Sequence, residues 1–502
     1  MSLRGKEMRT EEAPAMAAGD RLTALETLAR PVAASREPAA LPAWQADHRR
    51  SLAVSERRIL LVLMDVLVLL LIGYGLSWDK IGPGAFPGLA IVFSIPWLVF
   101  GQISGIYDLA TAARPQKSIQ ALTATSIAFD LTLLLIFFLH GSPFFISRPK
   151  LIIFAIAGPM AIGLWRFTYI RMFGAVHFQR RVLVIGAGAA GATLLRAVRS
   201  RQGHGINVVG ILDDDPNKHG AEVEGSRVLG SSEAMWPLIS ELQVEEVVLA
   251  LNQPSSEALY QGLGTCYEHS IAVSMMPRLY EEVTGQVPVE FMGPHWFGSV
   301  QLGRSGGGMA FAVKRIIDVV AASLALIILL PVIALIAVLV RLSSRGPILH
   351  RQHRMGLHGH PFEIVKFRTM RADAEAPGKP VWATLDDPRA TSIGRWLRRT
   401  HLDELPQLFQ VVRGDMSLVG PRPERPEFVA ELEHNIPLYR ARYSMRPGIA
   451  GWAQLHYPYG ASVEDALAKL RYDLYYVKNW NPFLDSAILM RTLARVLLLR
   501  GR

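Results

Sequence analysis

Apolar residues in this chain gather into runs. Four of them, roughly Ile59–Trp78, Phe86–Tyr107, Ile119–His140 and Leu151–Phe173, crowd one stretch, and a fifth covers about 316–340. Each is close to the roughly 20 residues that a helix needs to cross a bilayer. Elsewhere the pattern changes. Residues 181–300 alternate strand-like and helix-like periods, and beyond Lys314 charged, aromatic and glycine positions are dense outside the fifth run. Residues 1–48, rich in Ala, Arg and Glu with scattered Pro, hold no sustained apolar period and read as a disordered cytoplasmic tail. The first apolar run comes too late, and lacks the cleavage site, to be a signal peptide.

Charges orient the runs. Arg49, Arg50, Arg57 and Arg58 precede the first; Arg114 and Lys117 lie between the second and third; Arg171, Arg180 and Arg181 follow the fourth. Asp79 and Lys80 nearly cancel after the first run, while Arg148 and Lys150 after the third are a mild conflict. On balance both ends of a four-helix bundle, residues 49–176, face the cytoplasm. The fifth run has Lys314 and Arg315 before it and Arg341 and Arg345 after it, so both its flanks read as cytoplasmic. Pro331 removes the amide that would bond the carbonyl of Ile327, and a helix broken there enters and leaves on one side. The expectation is a re-entrant helix over 316–340; the plainer reading is a kinked span.

The middle stretch, 177–305, carries a second pattern. A strand at Val182–Ile185 runs into Gly186-Ala-Gly-Ala-Ala-Gly191, a periodic segment follows to Val198, and a second strand, Val208–Leu212, ends at Asp213. Strand, glycine turn, helix, strand and acid together predict a Rossmann-like α/β domain. Gly186, Gly188 and Gly191 with Asp213 are candidates for holding a nucleotide; the same glycines also serve tight helix–strand packing. A sugar-modifying NAD oxidoreductase would need a Tyr-x-x-x-Lys pair, and Lys218, the only lysine between 181 and 300, has no tyrosine four residues before it. A regulatory or dimerising role is the reading.

Composition now sharpens the picture. The chain is 502 residues long, 50% hydrophobic and 19% charged, with a net charge of +10. Given the apolar runs, that charge is read as contact with an anionic leaflet rather than with nucleic acid. The single cysteine, Cys266, excludes an intramolecular disulfide. His350, His353, His358 and His360 fit no helix face and lack acidic partners, so they are not read as a metal site.

The chemistry concentrates in residues 306–502. Pro361-Phe-Glu-Ile-Val-Lys-Phe-Arg-Thr-Met370 predicts a strand with Lys366 and Arg368 on one face, suited to a diphosphate or simply solvated. In Arg398-Arg-Thr-His-Leu-Asp-Glu-Leu-Pro-Gln-Leu408, Asp403, Glu404 and Pro406 predict the start of a helix to about Val412. Carboxylates there serve as nucleophile or metal ligand, or merely cap the helix. In Gly414-Asp-Met-Ser-Leu-Val-Gly-Pro-Arg-Pro423, two prolines fix Arg422 as a phosphate-binding cation or a rigid turn. Arg446-Pro-Gly-Ile-Ala-Gly-Trp-Ala-Gln454 and Tyr472-Asp-Leu-Tyr-Tyr476, around Asp473, fit ordinary core packing as well as a site. Arg491 and Arg495, four apart among leucines, predict a C-terminal helix lying on a membrane.

Together these clusters resemble the bacterial sugar transferase family, the monotopic polyprenyl-phosphate phosphoglycosyl transferases, over about residues 310–495. The preceding bundle and Rossmann-like domain resemble the family's long forms, which start exopolysaccharide or O-antigen units. The resemblance implies a fold of three parts: a membrane α-helical bundle, an α/β Rossmann-like domain, and an α/β monotopic transferase domain with a re-entrant helix. It implies transfer of hexose 1-phosphate, glucose first and galactose second, from a UDP-sugar to undecaprenyl phosphate, with release of UMP. Asp403 matches the nucleophile, Glu404 its partner and Mg²⁺ ligand, and Lys366, Arg398, Arg422 and Asp473 further members of the site, to which the strand pattern adds Arg368. It implies a bacterial inner-membrane location with the catalytic domain cytoplasmic, contact with membrane lipids, and a homodimer. Two departures stand out: Leu330 replaces the serine that many members place before the proline, and Leu455-His-Tyr-Pro-Tyr-Gly460 replaces an Asn-Gly-Arg-Asn turn, which leaves the sugar open. The non-enzymatic alternative is a membrane scaffold or nucleotide sensor, which would tolerate loss of Asp403.

Overall fold

The computed structural model describes residues 54–77, 86–112, 115–140, 148–173, 179–200, 205–251, 256–292, 307–371, 389–457, 460 and 462–497. The expected N-terminal tail lies outside them.

The first four apolar runs fold as helices α1 (Val54–Ser77), α2 (Phe86–Ser104), α3 (Pro115–His140) and α4 (Arg148–Phe173). Their polarity is inverted relative to a water-soluble bundle. Ile59, Leu63, Leu67 and Leu71, one turn apart, point outward from α1, as do Ile156, Met160, Leu164 and Phe167 from α4. Asp65 and Arg166 are buried within the bundle, 0% and 2% exposed. Apolar outside and ionised inside is the arrangement that a hydrocarbon solvent selects. α1, α3 and α4 are long and apolar enough to cross a membrane, whereas α2 offers the shorter apolar stretch Ala90–Ser104.

Inside the bundle Arg166 donates to the Asp65 carboxylate at 2.6 Å and to the Ile106 carbonyl at 3.3 Å. The Trp97 indole adds a bond to the same carboxylate oxygen at 3.3 Å. Around this pair Trp97, Phe129 and Phe154 fill the core, with Trp97 set edge-on to Phe129.

The middle stretch forms a six-stranded sheet of order β3-β4-β2-β1-β5-β6. Its strands are β1 (Arg180–Ile185), β2 (Ile206–Leu212), β3 (Glu222–Val223), β4 (Ser226–Gly230), β5 (Glu246–Leu249) and β6 (Ala272–Met275). All pairings are parallel except β3 with β4. Helix α5 (Ala189–Ser200) supplies Leu194 and Leu195, and α8 (Met276–Thr284) supplies Leu279 and Val283, to the core over Val182 and Val248. Helices α6 (Met235–Glu241) and α7 (Glu257–Glu268) complete the layer, with Cys266 buried on α7.

The fifth run is a single helix, α9 (Gly307–Ser343), 37 residues long with Pro331 inside it. The break predicted at Pro331 therefore does not divide it into two helices. One face is packed along nearly its whole length: Ala322, Leu326 and Leu329 join Ile364, Leu408 and Val411, and Ile333, Ile336 and Val340 join Phe367 and Leu397. Contacts on both sides of Pro331 hold the helix together where one amide is missing. The opposite face exposes Ile316, Val320, Leu324, Ile327, Ile328 and Leu335.

The remaining elements follow α9 in the chain. They are the hairpin β7 (Leu349–Met355) and β8 (Pro361–Phe367), helices α10 (Ser392–Thr400) and α11 (Gln407–Arg413), and strand β9 (Ser417–Val419). Helix α12 (Pro426–Asn435), strand β10 (Gly448–Ala450) and helices α13 (Trp452–His456), α14 (Val463–Asn479) and α15 (Pro482–Leu497) follow. Strands β9 and β10 pair in parallel. The C-terminal helix α15 is tied to its neighbours by its arginines. Its arginines are spent on protein: Arg491 holds both oxygens of Asp108 at 2.8 Å, beyond the end of α2, and Arg495 donates to the Leu455 carbonyl at 2.6 Å.

The buried pair in the bundle yields a stability prediction. Asp65→Ala or Arg166→Met alone strands the other charge and costs about 3–5 kcal/mol, whereas Asp65→Leu with Arg166→Met costs far less. Denaturant unfolding of the purified protein in detergent, followed by tryptophan fluorescence, checks the order; equal losses in all three variants would refute it.

Candidate active site

Asp403 and Glu404 lie in a short 3-10 turn, Leu402–Glu404, that α10 reaches through His401 in a left-handed conformation, φ 56°. The α-helix α11 begins only at Gln407, with Pro406 as its cap. The carboxylates thus precede the helix rather than occupying its first turn, because the turn around His401 and the proline delay regular α hydrogen bonding. The electrostatic support comes instead from side chains. Arg422 donates to Glu404 Oε1 at 2.7 Å. Burial works against an ionised Glu404, yet Arg422, His401 and Lys366 hold it below the usual carboxylate range. Asp403 beside it is buried, 6% exposed.

Lys366 projects from β8 into the same charge cluster. Burial pulls its ammonium below the ordinary lysine range, against the attraction of Asp403 and Glu404. Strand and carboxylates are held in register by Gln410, which sequence reasoning missed. From α11 its amide accepts from Val365 N at 2.9 Å and donates to Glu363 O at 2.6 Å, flanking Lys366 with a two-point clamp. At the far end of α11, Arg315 donates to the carbonyls of Val411 and Val412 at 2.6 and 2.8 Å, and Arg446 to that of Gly414 at 3.0 Å. These are the carbonyls that a helix end leaves unpaired.

Arg422 stands on a loop tied from three directions. Gly448 N bonds Pro421 O at 3.0 Å, Arg354 donates to Pro423 O at 3.2 Å, and Arg442 donates to the carbonyl of Arg422 itself at 2.8 Å. Gly420 has to be glycine, since a Cβ there would overlap the carbonyl of Arg446. Arg442 is in turn held by Asp473, at 2.7 Å, and by the Tyr439 hydroxyl, at 2.6 Å. Asp473 is 2% exposed and faces Arg442, so it stands behind the site rather than in it. Burial pushes its carboxyl up to about 6, against the pull of Arg442.

Of the residues predicted to meet, Lys366, Asp403, Glu404 and Arg422 do. Arg398 is half-buried in the last turn of α10, five residues before Asp403. Arg368 has its Nη2 turned to Ser344, donating to the carbonyl and hydroxyl at 2.8 and 2.9 Å, while its buried Nε and Nη1 meet no hydrogen-bond partner among the described residues. Arg442 carried no signal that sequence reasoning could weigh, because it is one arginine in Tyr439-Arg-Ala-Arg-Tyr443.

Among the described residues no three His, Cys, Asp or Glu side chains gather into a metal cage. The donor set nevertheless fits Mg²⁺, which is commonly held by one or two carboxylates together with substrate phosphates. Glu404 keeps one oxygen beyond its bond to Arg422, and Asp403 lies next to it in the chain.

At the glycine turn of the sheet layer the expected acid is engaged by neighbouring residues, while Gly188 has open space beside it among the described residues. Asp213 accepts from Ala187 N at 2.7 Å and Asp215 N at 3.0 Å, with the Lys218 ammonium at 3.1–3.2 Å from both oxygens. A Cβ at Gly191 would overlap the Gly186 carbonyl, and Gly186 itself has φ 111°. Gly186 and Gly191 thus serve close packing, and the carboxylate expected to meet a ribose is engaged within the fold.

A family model described as bacterial sugar transferase matches residues 309–499, and one described as a CoA-binding domain matches 102–277. The chain is 37% identical over 235 residues to the UDP-N-acetylgalactosamine-undecaprenyl-phosphate N-acetylgalactosaminephosphotransferase of Aeromonas hydrophila, covering 47% of this chain and 54% of that one. It is 30% identical over 382 residues to the UDP-glucose:undecaprenyl-phosphate glucose-1-phosphate transferase of Klebsiella pneumoniae, covering 72% and 75%. A shorter relative, the uncharacterized sugar transferase EpsL of Bacillus subtilis, is 39% identical over 193 residues, covering 38% of this chain and 89% of that one. The chain thus spans a little over half the length of the Aeromonas relative and three quarters of the Klebsiella one. That extent of likeness carries the family: the chain belongs to the long-form bacterial sugar transferases.

Proposed function

We propose that the protein transfers hexose 1-phosphate from a UDP-sugar to undecaprenyl phosphate, and so begins a polysaccharide repeat unit. The observation that carries this reading is a buried carboxylate, Asp403, beside Glu404, with Lys366 and Arg422 supplying positive charge around them. Asp403 attacks the phosphorus that bears the sugar; a P–O bond forms to its carboxylate, and the bond to the bridging oxygen breaks. The electron pair leaves with UMP. A phosphate oxygen of the carrier then attacks the same phosphorus and frees Asp403. Lys366 and Arg422 face the phosphoryl oxygens, whose charge they neutralise in a site of low dielectric. Glu404 would hold Mg²⁺, which when bound supplies further positive charge to the diphosphate.

In this reading residues 49–176 are the membrane bundle, 177–305 a Rossmann-like domain and 306–502 the catalytic domain. The parallel order β4-β2-β1-β5-β6 supports the second assignment. The packing of one face of α9 on the catalytic layer from Ala322 to Val340, with an apolar opposite face, supports a helix that enters the bilayer and stays on one side. It would set Asp403 at the lipid surface where the carrier phosphate lies. Localisation in the inner membrane, with the catalytic domain cytoplasmic, follows from where UDP-sugars are found. The relatives' names cite UDP-glucose and UDP-N-acetylgalactosamine, which share a UDP-linked sugar. UDP-glucose remains the first substrate to try.

Purified protein with UDP-glucose and undecaprenyl phosphate should release UMP, and Asp403→Asn should lower that rate about a thousandfold or more. Equal release by both proteins would remove Asp403 from the chemistry. Chelation with EDTA should stop release and excess Mg²⁺ restore it; undiminished release in EDTA would remove the metal from the scheme.

Asp473 adds a pH prediction. Its folded value lies above that of a free carboxyl, so the proton enters the folded protein as pH falls through about 6. Above that pH the carboxylate holds Arg442; below it the hold weakens and Arg422 loses its support. The KM for the UDP-sugar should therefore rise about tenfold from pH 7 to pH 5. In Asp473→Asn it should be high and flat. Because a raised acid value favours the folded form as pH falls, this group contributes no loss of Tm over that range. Parallel pH profiles in the two proteins would rule the assignment out.

A further inference from the structure

Segment Gly285–Met292 follows α8 and closes the sheet layer, yet its side chains belong to the catalytic core. Val287 and Val289, 0% and 2% exposed, share one apolar cluster with Tyr439, Tyr443, Leu470 and Leu474. The backbone joins as well, with Val287 N donating to Arg471 O at 2.9 Å. Three further ties cross the same boundary. The Trp452 indole donates to Gly285 O at 3.0 Å, Lys478 meets Glu281 at 2.8 Å, and Arg471 pairs with Glu290.

The place of these contacts decides what they do. Leu470 and Leu474 flank Asp473 on α14, and Tyr439 carries the hydroxyl that Arg442 uses. Arg442 and Asp473 are the pair that grips the Arg422 carbonyl. A polar pair this deeply buried keeps its geometry only if the packing around it is complete. Val287 and Val289 complete it from the side of the sheet layer. The short Bacillus relative, matched over 89% of its length by 38% of this chain, has little room for such a layer, so the catalytic fold alone does not demand it.

We propose that segment Gly285–Met292 is a positioning element for Arg422, through which the sheet layer sets affinity for the UDP-sugar without touching it. This rests on the transferase reading. Packing of Val287 and Val289 fixes Tyr439 and α14; these fix Arg442 and Asp473; and that pair fixes the arginine that faces Glu404 and the transferring phosphate. The sheet layer is then a support for substrate binding, and the acid at the end of β2 is engaged within its own layer by Ala187 N.

The test uses the full-length protein in detergent, with UMP release measured across UDP-glucose concentrations. Val289→Ala opens a small cavity behind Tyr439, and Lys478→Glu breaks the tie to the buried Glu281 while leaving Val287 and Val289 in place. Each should raise KM about three- to tenfold and leave kcat within about twofold. Pairing Lys478→Glu with Glu281→Lys should restore KM. If Val289→Ala does not fold, the charge-swap pair decides alone. An unchanged KM in Lys478→Glu, a loss of kcat at unchanged KM, or a failure of the swap to restore KM would each overturn the proposal. Wild-type protein that releases no UMP from UDP-glucose or UDP-galactose would instead strike at the transferase reading.

Discussion

Two adjacent carboxylates, one buried and the other paired with an arginine, set the terms for the catalytic half of this protein. Moving a carboxylate out of water is costly unless a cation and hydrogen bonds replace the lost hydration. Asp403 and Glu404 meet that demand with Arg422 and Lys366, and neither cation is left to its own flexibility. Lys366 is set by the Gln410 clamp on its strand. Arg422 is set by a loop whose carbonyls are held by Gly448, Arg354 and Arg442. The site is therefore a consequence of backbone fixation, with side-chain charges placed last.

A second constraint is the long apolar helix α9. Its packed face is lined by residues of β8, α10 and α11, the same elements that carry Lys366, Arg398 and the turn before α11 that holds Asp403. At its start Asp318 accepts from Ser417 Oγ at 2.7 Å and Leu418 N at 3.2 Å, while Lys314 reaches Asp485 at 2.6 Å. Polar groups at the beginning of an otherwise apolar helix tie it to β9 and α15 before the lipid-like face begins. One helix thus serves as membrane contact on one side and as floor of the site on the other. Proline at position 331 is tolerated because the floor does not depend on the one lost amide bond.

Much of this was legible in the residues. The apolar runs located the helices of the bundle to within a few positions, and the glycine turn located the sheet. Lys366, Asp403, Glu404 and Arg422 stood in short charged motifs whose spacing alone also fitted a solvated strand, a helix cap or a rigid turn; the family resemblance is what gathered them into one site. What sequence concealed was direction. Arg368 shares the alternation of Lys366, yet its Nη2 is taken by the carbonyl and hydroxyl of Ser344 just after α9. Asp473 sits among tyrosines that suggest a site, but its partner Arg442 lies 31 residues away and only the fold brings them together. Gln410 looked like one polar residue on a helix, and its clamp on Glu363 and Val365 requires the strand to be in place first.

The glycine-rich turn shows why a motif and its ligand have to be argued separately. Its spacing requires a tight passage from β1 into α5, and the structure uses it for that: Gly191 approaches the carbonyl of Gly186 more closely than any side chain would permit. A dinucleotide would also need the amide beyond Gly186 and the acid at the end of β2. Here those two groups bond to each other, Ala187 N to Asp213 at 2.7 Å, and the acid's second oxygen is taken by Asp215 N and Lys218. A ligand that took this acid would have to displace an ion pair and two amide bonds, whereas beside Gly188 there is open space. In this chain the turn and the acid are tied to each other within the fold, and such a fixed edge suits a layer whose last segment supports another domain's arginine.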